Sequence, residues 1–187
     1  MLTPWGYEVE ELPPLITAEQ FNAITGYQYA DDPRLDAAIA EVSGLVRMAC
    51  RWHIAPSIEC EYTTGGDGRV IQLPALAVSG VSSVSEFGQE LAAGQYEWRR
   101  EGLLRRCGFR AWPKAWNSVQ ATYTAGFDEV PAEITGICVS RILATVSLPV
   151  GVRSESAGGV SVTYGDSGDL SAVEVMALTP YTLPVEV

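Results

Sequence analysis

The chain has one histidine, His53, in 187 residues, and only 12 Lys and Arg against 23 Asp and Glu. The shortage of base leaves a formal charge of -11. A body this acidic repels phosphate backbones and anionic membrane surfaces, which disfavours general nucleic-acid or membrane binding. With a single histidine, a zinc site would need the four cysteines at 50, 60, 107 and 138 to converge, and no pair has CxxC spacing. Four thiols in a chain of this length make no disulfide framework, so buried free thiols in a reducing compartment are the expectation. The opening stretch MLTPWGYEVEELPP lacks the basic and apolar regions of a signal peptide. No run approaches the roughly 18 apolar residues of a membrane span. Neither glycine-rich stretch, at 65–68 or 156–159, ends in the Gly-Lys-Ser/Thr of a phosphate loop. Asp166 and Asp169 lack the DxDxDG spacing of a calcium loop. No catalytic, cofactor-binding or metal-binding constellation emerges, so an enzyme is not expected.

What is present is enough apolar residue, 47% of the chain, to bury the core of one domain, or of one domain carrying an insertion. Residues 1–16 are acidic and broken by Pro13 and Pro14, which predicts an N-terminal arm. Thr17 offers a cap for a short helix that ends at Gly26. Asp32 and Pro33 open a second helix over 33–52. On it, Leu35, Ala38, Ile39, Val42, Leu45, Val46, Ala49 and Cys50 form one apolar stripe, with Asp36, Glu41, Arg47 and Arg51 off it. His53 follows at the helix end, where a structural or capping role is expected.

From residue 57 the period changes to alternation. Ile58, Cys60 and Tyr62 alternate with Glu59, Glu61 and Thr63, and the glycines at 65–68 turn the chain toward Val70, Ile71 and Leu73, which predicts a β-hairpin. Further strands are expected at 81–87, 95–99, 103–106 and 118–124. A helix resumes at Pro131 and stops at Pro149, and a last short helix spans 171–178, after a strand-like run at 160–164. The fold class is α+β: a small helical bundle over 17–56 and 127–187, with an antiparallel β-region, hairpins or a small barrel, inserted at 57–126.

One charge pattern stands out. Residues 99–114 hold Arg99, Arg100, Arg105, Arg106, Arg110 and Lys114 against Glu101 alone, a net +5 that leaves -16 on the rest of the chain. Trp98, Phe109, Trp112 and Trp116 are interleaved with these bases. The segment reads as a solvated hairpin over the core, as a surface for an acidic protein, or as a nucleic-acid contact against the repulsion of the rest of the body.

The order of elements carries a resemblance. "CRWHIAP" (50–56) follows the Asp-Pro-capped helix, and "LPALAVSGVSSV" (73–84), "YEW" (96–98) and "WP" (112–113) lie in the β-region. "VQATYTAGFDEVPAEI" (119–134), "PVGVRSESAGGVSVTY" (149–164) and "LTPYTLP" (178–184) follow. Together these resemble the head-to-tail connector, or adaptor, proteins of long-tailed bacteriophages, notably those of actinobacteria. The resemblance implies a structural virion protein: a ring, twelve-fold in related connectors, that sits below the portal protein, joins capsid to tail and extends the DNA channel. It implies localisation at the portal vertex after assembly in the host cytoplasm, with the portal protein, the next connector or tail protein and other copies of the chain as partners. DNA would pass through without specific binding, and no membrane or cofactor is implied. In the family a C-terminal segment reaches the portal, which here makes Leu170, Val173, Met176, Leu178 and Tyr181 candidate docking residues. The six bases of residues 99–114 are candidates for the contact with a neighbouring copy or adjacent connector, because ring interfaces need two different complementary patches. A head-closure or tail-terminator protein is the alternative, and a small ligand-binding module a more distant one.

Overall fold

The computed structural model describes residues 2–9, 12–66, 68–147, 154–157, 160–163 and 170–184. In chain order its elements are β1 (Tyr7–Glu8), α1 (Ala18–Thr25), α2 (Leu35–Cys50), β2 (Ile58–Thr64), β3 (Val70–Gln72), β4 (Val78–Glu86), β5 (Gln89–Glu90), β6 (Tyr96–Trp98), β7 (Leu103–Arg106), β8 (Val119–Ala125), α3 (Ala132–Ser147), β9 (Ser154–Ala157), β10 (Val160–Thr163) and α4 (Ala172–Leu178). The chain divides into a helical unit, Pro14–Ala49 with Pro131–Pro180, and a β-unit, Met1–Pro13 with Cys50–Val130 and Tyr181–Val187.

Local chemistry accounts for the helices. Thr17 and Gln20 close a capping box on α1, and Gly26, at φ 68°, ends it in the left-handed conformation that glycine adopts without strain. Before α2, Asp32 Oδ1 accepts from the Arg34 amide at 2.8 Å. The Arg34 guanidinium grips the same carboxylate and also donates to the Val146 carbonyl of α3. The apolar stripe of α2 packs inward through Leu35, Ala38, Ile39, Val42 and Val46, against a unit whose core also holds Phe21, Ile134, Ile142 and Leu178. Each such aliphatic chain contributes roughly 1.5–3 kcal/mol when fully buried. Arg47 departs from the expected solvent side of this helix and is buried. Ser43 is buried too, with its hydroxyl accepting the Leu15 amide at 3.0 Å.

The β-unit contains two open antiparallel sheets, ordered β1-β2-β8-β4-β5 and β3-β7-β6, and no closed barrel among the described residues. The expected hairpin of β2 with β3 does not form, because these strands lie in different sheets. Both edges of β2 are taken, by β1 and by a seven-residue register with β8. The glycine segment instead closes on residues 112–116. Gly66 donates to the Pro113 carbonyl at 2.7 Å, and a Cβ on Gly66 would fall 2.1 Å from that of Trp112.

Within the expected arm of residues 1–16, Tyr7 pairs with Tyr62 and Glu8 with Glu61, which adds β1 to the large sheet. The reason lies in the motif at 50–56. Trp52, His53 and Ile54 are all fully buried, and the Tyr7 hydroxyl sits 2.8 Å from His53 Nδ1 and accepts the His53 amide at 3.0 Å. His53 Nε2 faces the Ala125 carbonyl at 3.0 Å. A carbonyl only accepts, so Nε2 carries the proton and Nδ1 receives the tyrosine hydroxyl. The histidine is thus a structural crosslink, as its position suggested. Gly126 closes against it, since a Cβ there would meet Pro56 O at 2.3 Å and His53 Nε2 at 2.8 Å. Trp52 Nε1 donates to the Tyr181 carbonyl at 2.6 Å, which ties the chain's last described stretch into this unit.

Candidate interaction surfaces

The arginine-rich segment builds β6, β7 and the turns around them, and strand periodicity sorts its residues. In a strand, neighbours point to opposite faces. Arg105 lies on the outer face of the small sheet, in register with Val70 and Glu97, and pairs with the Glu97 carboxylate in solvent. Arg106 points the other way and is only 3% exposed. Its Nε donates to Glu86 at 2.8 Å, its Nη1 to the Gln95 carbonyl at 2.6 Å, and its guanidinium stands over the Trp112 ring. Arg106 is therefore consumed inside the β-unit and drops out of the candidate contact set. Arg99, Arg100, Arg110 and Lys114 remain exposed beside Arg105. Val70, Glu97, Trp98, Arg99, Leu103 and Arg105 line a cleft of about 230 Å³ on this face.

The candidate docking residues of the C-terminal segment also divide. Ser171 and Glu174 close a capping box on α4, and the Arg141 guanidinium of α3 holds Glu174 through Nε at 2.8 Å and Nη2 at 2.6 Å. These bonds, chiefly those from Arg141, hold the Glu174 carboxyl down at about 2. On the opposite side of the helix Val173 and Met176 stand more than two-thirds exposed, with Val175 half exposed. Leu178 is buried in the helical unit and serves its packing, while Leu170 and Tyr181 are half-buried. The Tyr181 ring packs edge-on to Phe127 in the β-unit.

Three aromatic side chains at loop tips are largely in solvent: Phe87, Phe109 and Trp116 are 69%, 88% and 92% exposed, with the Arg69 guanidinium 4.9 Å from the centre of the Phe109 ring. Phe87 and Gly88 form the two-residue turn between β4 and β5, with φ 49° and 78°. That geometry favours Asn-Gly, and a phenylalanine there is strained. Phe109 also has positive φ, at 59°. An aromatic directly before glycine at a hairpin tip was a readable signal for Phe87, masked by the β-propensity of the run before it. The Phe87 amide donates to the Ser118 carbonyl at 2.8 Å, which sets this tip beside the Trp116 loop.

The cysteines are free. Cys50, Cys60 and Cys138 are buried, as expected, but Cys107 is only half-buried. Among the described residues no group of three His, Cys, Asp or Glu side chains could hold a metal ion, and no helix is long and apolar enough to cross a membrane. Asp166 and Asp169 lie outside the described residues.

No protein-family model matches the chain, and no curated protein does. Solved structures do. A chain in the neck of an empty gene transfer agent (GTA) particle, computed with C6 symmetry, superposes with a TM-score of 0.60 at 14% identity, covering 96% of both chains. A chain in the neck of the native GTA particle, computed with C12 symmetry, gives 0.51 at 16% identity, again over 96% of both. A chain in the virion of the native particle gives 0.54 at 19% identity, over 96% of this chain and 95% of that one. Over nearly its whole length, this chain has the mixed α+β fold of a chain from the neck of a gene transfer agent particle.

Proposed function

We propose that this chain is a structural protein of a phage-type head-to-tail junction: a connector that forms a ring below the portal, joins capsid to tail and extends the DNA channel. The observation that carries this reading is the end-to-end likeness to chains of GTA necks, in reconstructions with sixfold and twelvefold symmetry. Such symmetry favours twelve copies, arranged head to tail so that one patch of each meets a different patch of the next. The charge of -11 suits a channel wall along which DNA slides, since like charge removes binding minima. Nothing in this role calls for catalysis, and the side chains on the exposed surfaces are those of interfaces: aromatics, arginine and methionine. The chain then belongs in the virion at the portal vertex, assembled in the host cytoplasm. Val173 and Met176 on α4 supply the apolar contact with the portal, and the arginine face of the small sheet supplies a contact with a neighbouring copy or the next connector.

The test is the mass of the purified full chain, alone and mixed with its portal protein. A ring-sized species of about twelve copies in the mixture is the expected result. A chain that stays unassembled with portal and is absent from purified particles would sink the reading.

A further inference from the structure

Charge in the β-unit is segregated by sheet. The five strands of the large sheet carry Glu8, Glu59, Glu61, Glu86 and Glu90 and not one Lys or Arg. Glu86 is answered by Arg106. Glu8, Glu59 and Glu61 are exposed on the outer face of β1 and β2, and among the described residues no ion pair reaches them. Glu8 and Glu61 stand directly opposite in the ladder. Like charges so placed weaken a strand pair. The local partners of this row are neutral: the Gln120 amide donates to Glu61, and the Ser82 hydroxyl reaches Glu59 at 3.5 Å. Around the row the same face carries the hydroxyls of Thr63, Thr122 and Thr124.

The small sheet and its turns carry more base than acid: Arg105 and Arg106 lie in β7, Glu97 in β6 pairs with Arg105, and Glu101 is the one acid in the turn after β6. Arg99 and Arg100 leave β6 at the turn before β7, and Arg110 follows on the loop after β7; all three are exposed with no carboxylate partner among the described residues. Arg99 lines the cleft together with Trp98 and Leu103. The same unit thus presents a net basic patch beside a cleft of mixed lining and, on its other sheet, a row of carboxylates with no cation partner among the described residues. Each carries a charge cost in the isolated chain that contact with its complement would relieve.

We infer that the occupant of the arginine face is a second copy of this chain: Arg99 and Arg100 of one copy meet the Glu8–Glu59–Glu61 face of the next. The contact is heterologous, and it propagates round a closed ring. This rests on the connector reading and deepens it by naming the two faces that join neighbours. Charge pairing of this kind fixes register and excludes wrong partners more than it supplies affinity.

A charge swap tests it. Two variants of the full chain, Arg99→Glu/Arg100→Glu and Glu59→Arg/Glu61→Arg, and their combination are mixed with portal protein, and ring formation is followed by native mass measurement. All four positions are exposed, so the melting temperature of each variant should not fall below that of the parent, and Glu61→Arg, which relieves the repulsion with Glu8, should if anything raise it. If a reversal does unfold the chain, Arg99→Gln/Arg100→Gln replaces it. Each single-face reversal is expected to weaken the copy–copy contact by about a hundredfold, and the combination to recover most of it, to within about tenfold of the parent. If only the arginine reversal acts, the basic face meets a different protein and the inference is overturned. Rings that form normally with either reversal overturn it too, while leaving the connector reading intact. A parent chain that forms no ring with portal fails the connector reading itself.

Discussion

Arg106 Nε lies 2.8 Å from Glu86 Oε1, and this pair joins the end of β4 in the large sheet to β7 in the small one. Arg105, one residue earlier, makes its ion pair in solvent. The two arginines should therefore behave as opposites. Arg106→Ala leaves a half-buried carboxylate without its cation and strips the cover from Trp112, at a cost of about 3 kcal/mol. Arg105→Ala should cost less than about 1 kcal/mol. Urea unfolding of both variants decides it, and equal costs would refute the assignment.

Tyr7 and Tyr123 make a second contrasting pair. Both rings are fully buried, but the Tyr7 hydroxyl serves His53 twice while the Tyr123 hydroxyl has no hydrogen-bond partner. Tyr7→Phe orphans the His53 amide and Nδ1 and should cost about 2 kcal/mol. Tyr123→Phe removes an unsatisfied buried group and should leave the melting temperature unchanged or higher. A drop in melting temperature for Tyr123→Phe comparable to that for Tyr7→Phe would contradict this.

Acid should loosen α4 before it unfolds the chain. Glu174 is held at about 2 in the folded state, against an ordinary 4.5, chiefly by Arg141. A carboxyl with a depressed folded-state value contributes stability that is complete above its unfolded value and lost as pH falls through the folded one. The window is therefore from about 4.5 down to about 2. The protection factors of the α4 amides, taken relative to the intrinsic exchange rate at each pH, should fall across it, and Glu174→Gln should flatten that dependence. An unchanged slope in Glu174→Gln would show that another group controls the helix.

Thiol chemistry should be confined to one residue. Burial pushes Cys50 up to about 11 and Cys60 up to about 12, where the reactive thiolate is scarce. Cys138 is fully buried, and Cys107 alone has part of its surface open. A maleimide on the native chain should modify Cys107 first, read by peptide mass, and the other three only on unfolding. Early modification of Cys60 would mean that the large sheet opens readily.

Variants on the exposed side of α4 should separate docking from folding. Val173→Asp with Met176→Asp should leave the unfolding curve in place and abolish co-sedimentation with portal. Leu178→Ala should instead cost about 3 kcal/mol, because it opens a cavity in the helical unit. Normal portal binding by the double aspartate variant would move the docking surface elsewhere.

The helices were legible because their signals are local: a capping side chain three residues from its partner, a proline at the first turn, a stripe repeating every three or four positions. The alternation of β2 was equally plain. The pairing of that strand was not. A strand's period states which side faces the core but not which strand lies beside it, so a glycine-rich turn after β2 suggested a hairpin that β1 and β8 pre-empt. The same gap separates the expected arm from the observed β1, whose place depends on Tyr7 reaching a histidine 46 positions away.

The charge balance itself was fully determined by the sequence: an acidic chain with few bases and one basic segment. Only the tertiary structure decided how the bases of that segment are divided. It turned Arg106 inward to a carboxylate twenty residues upstream and left Arg99 and Arg100 outside. It also gathered Glu8, Glu59 and Glu61 on one bare sheet face. The physical reason is that charge adds up along a sequence, whereas ion pairing depends on distance and burial, and both are properties of the fold.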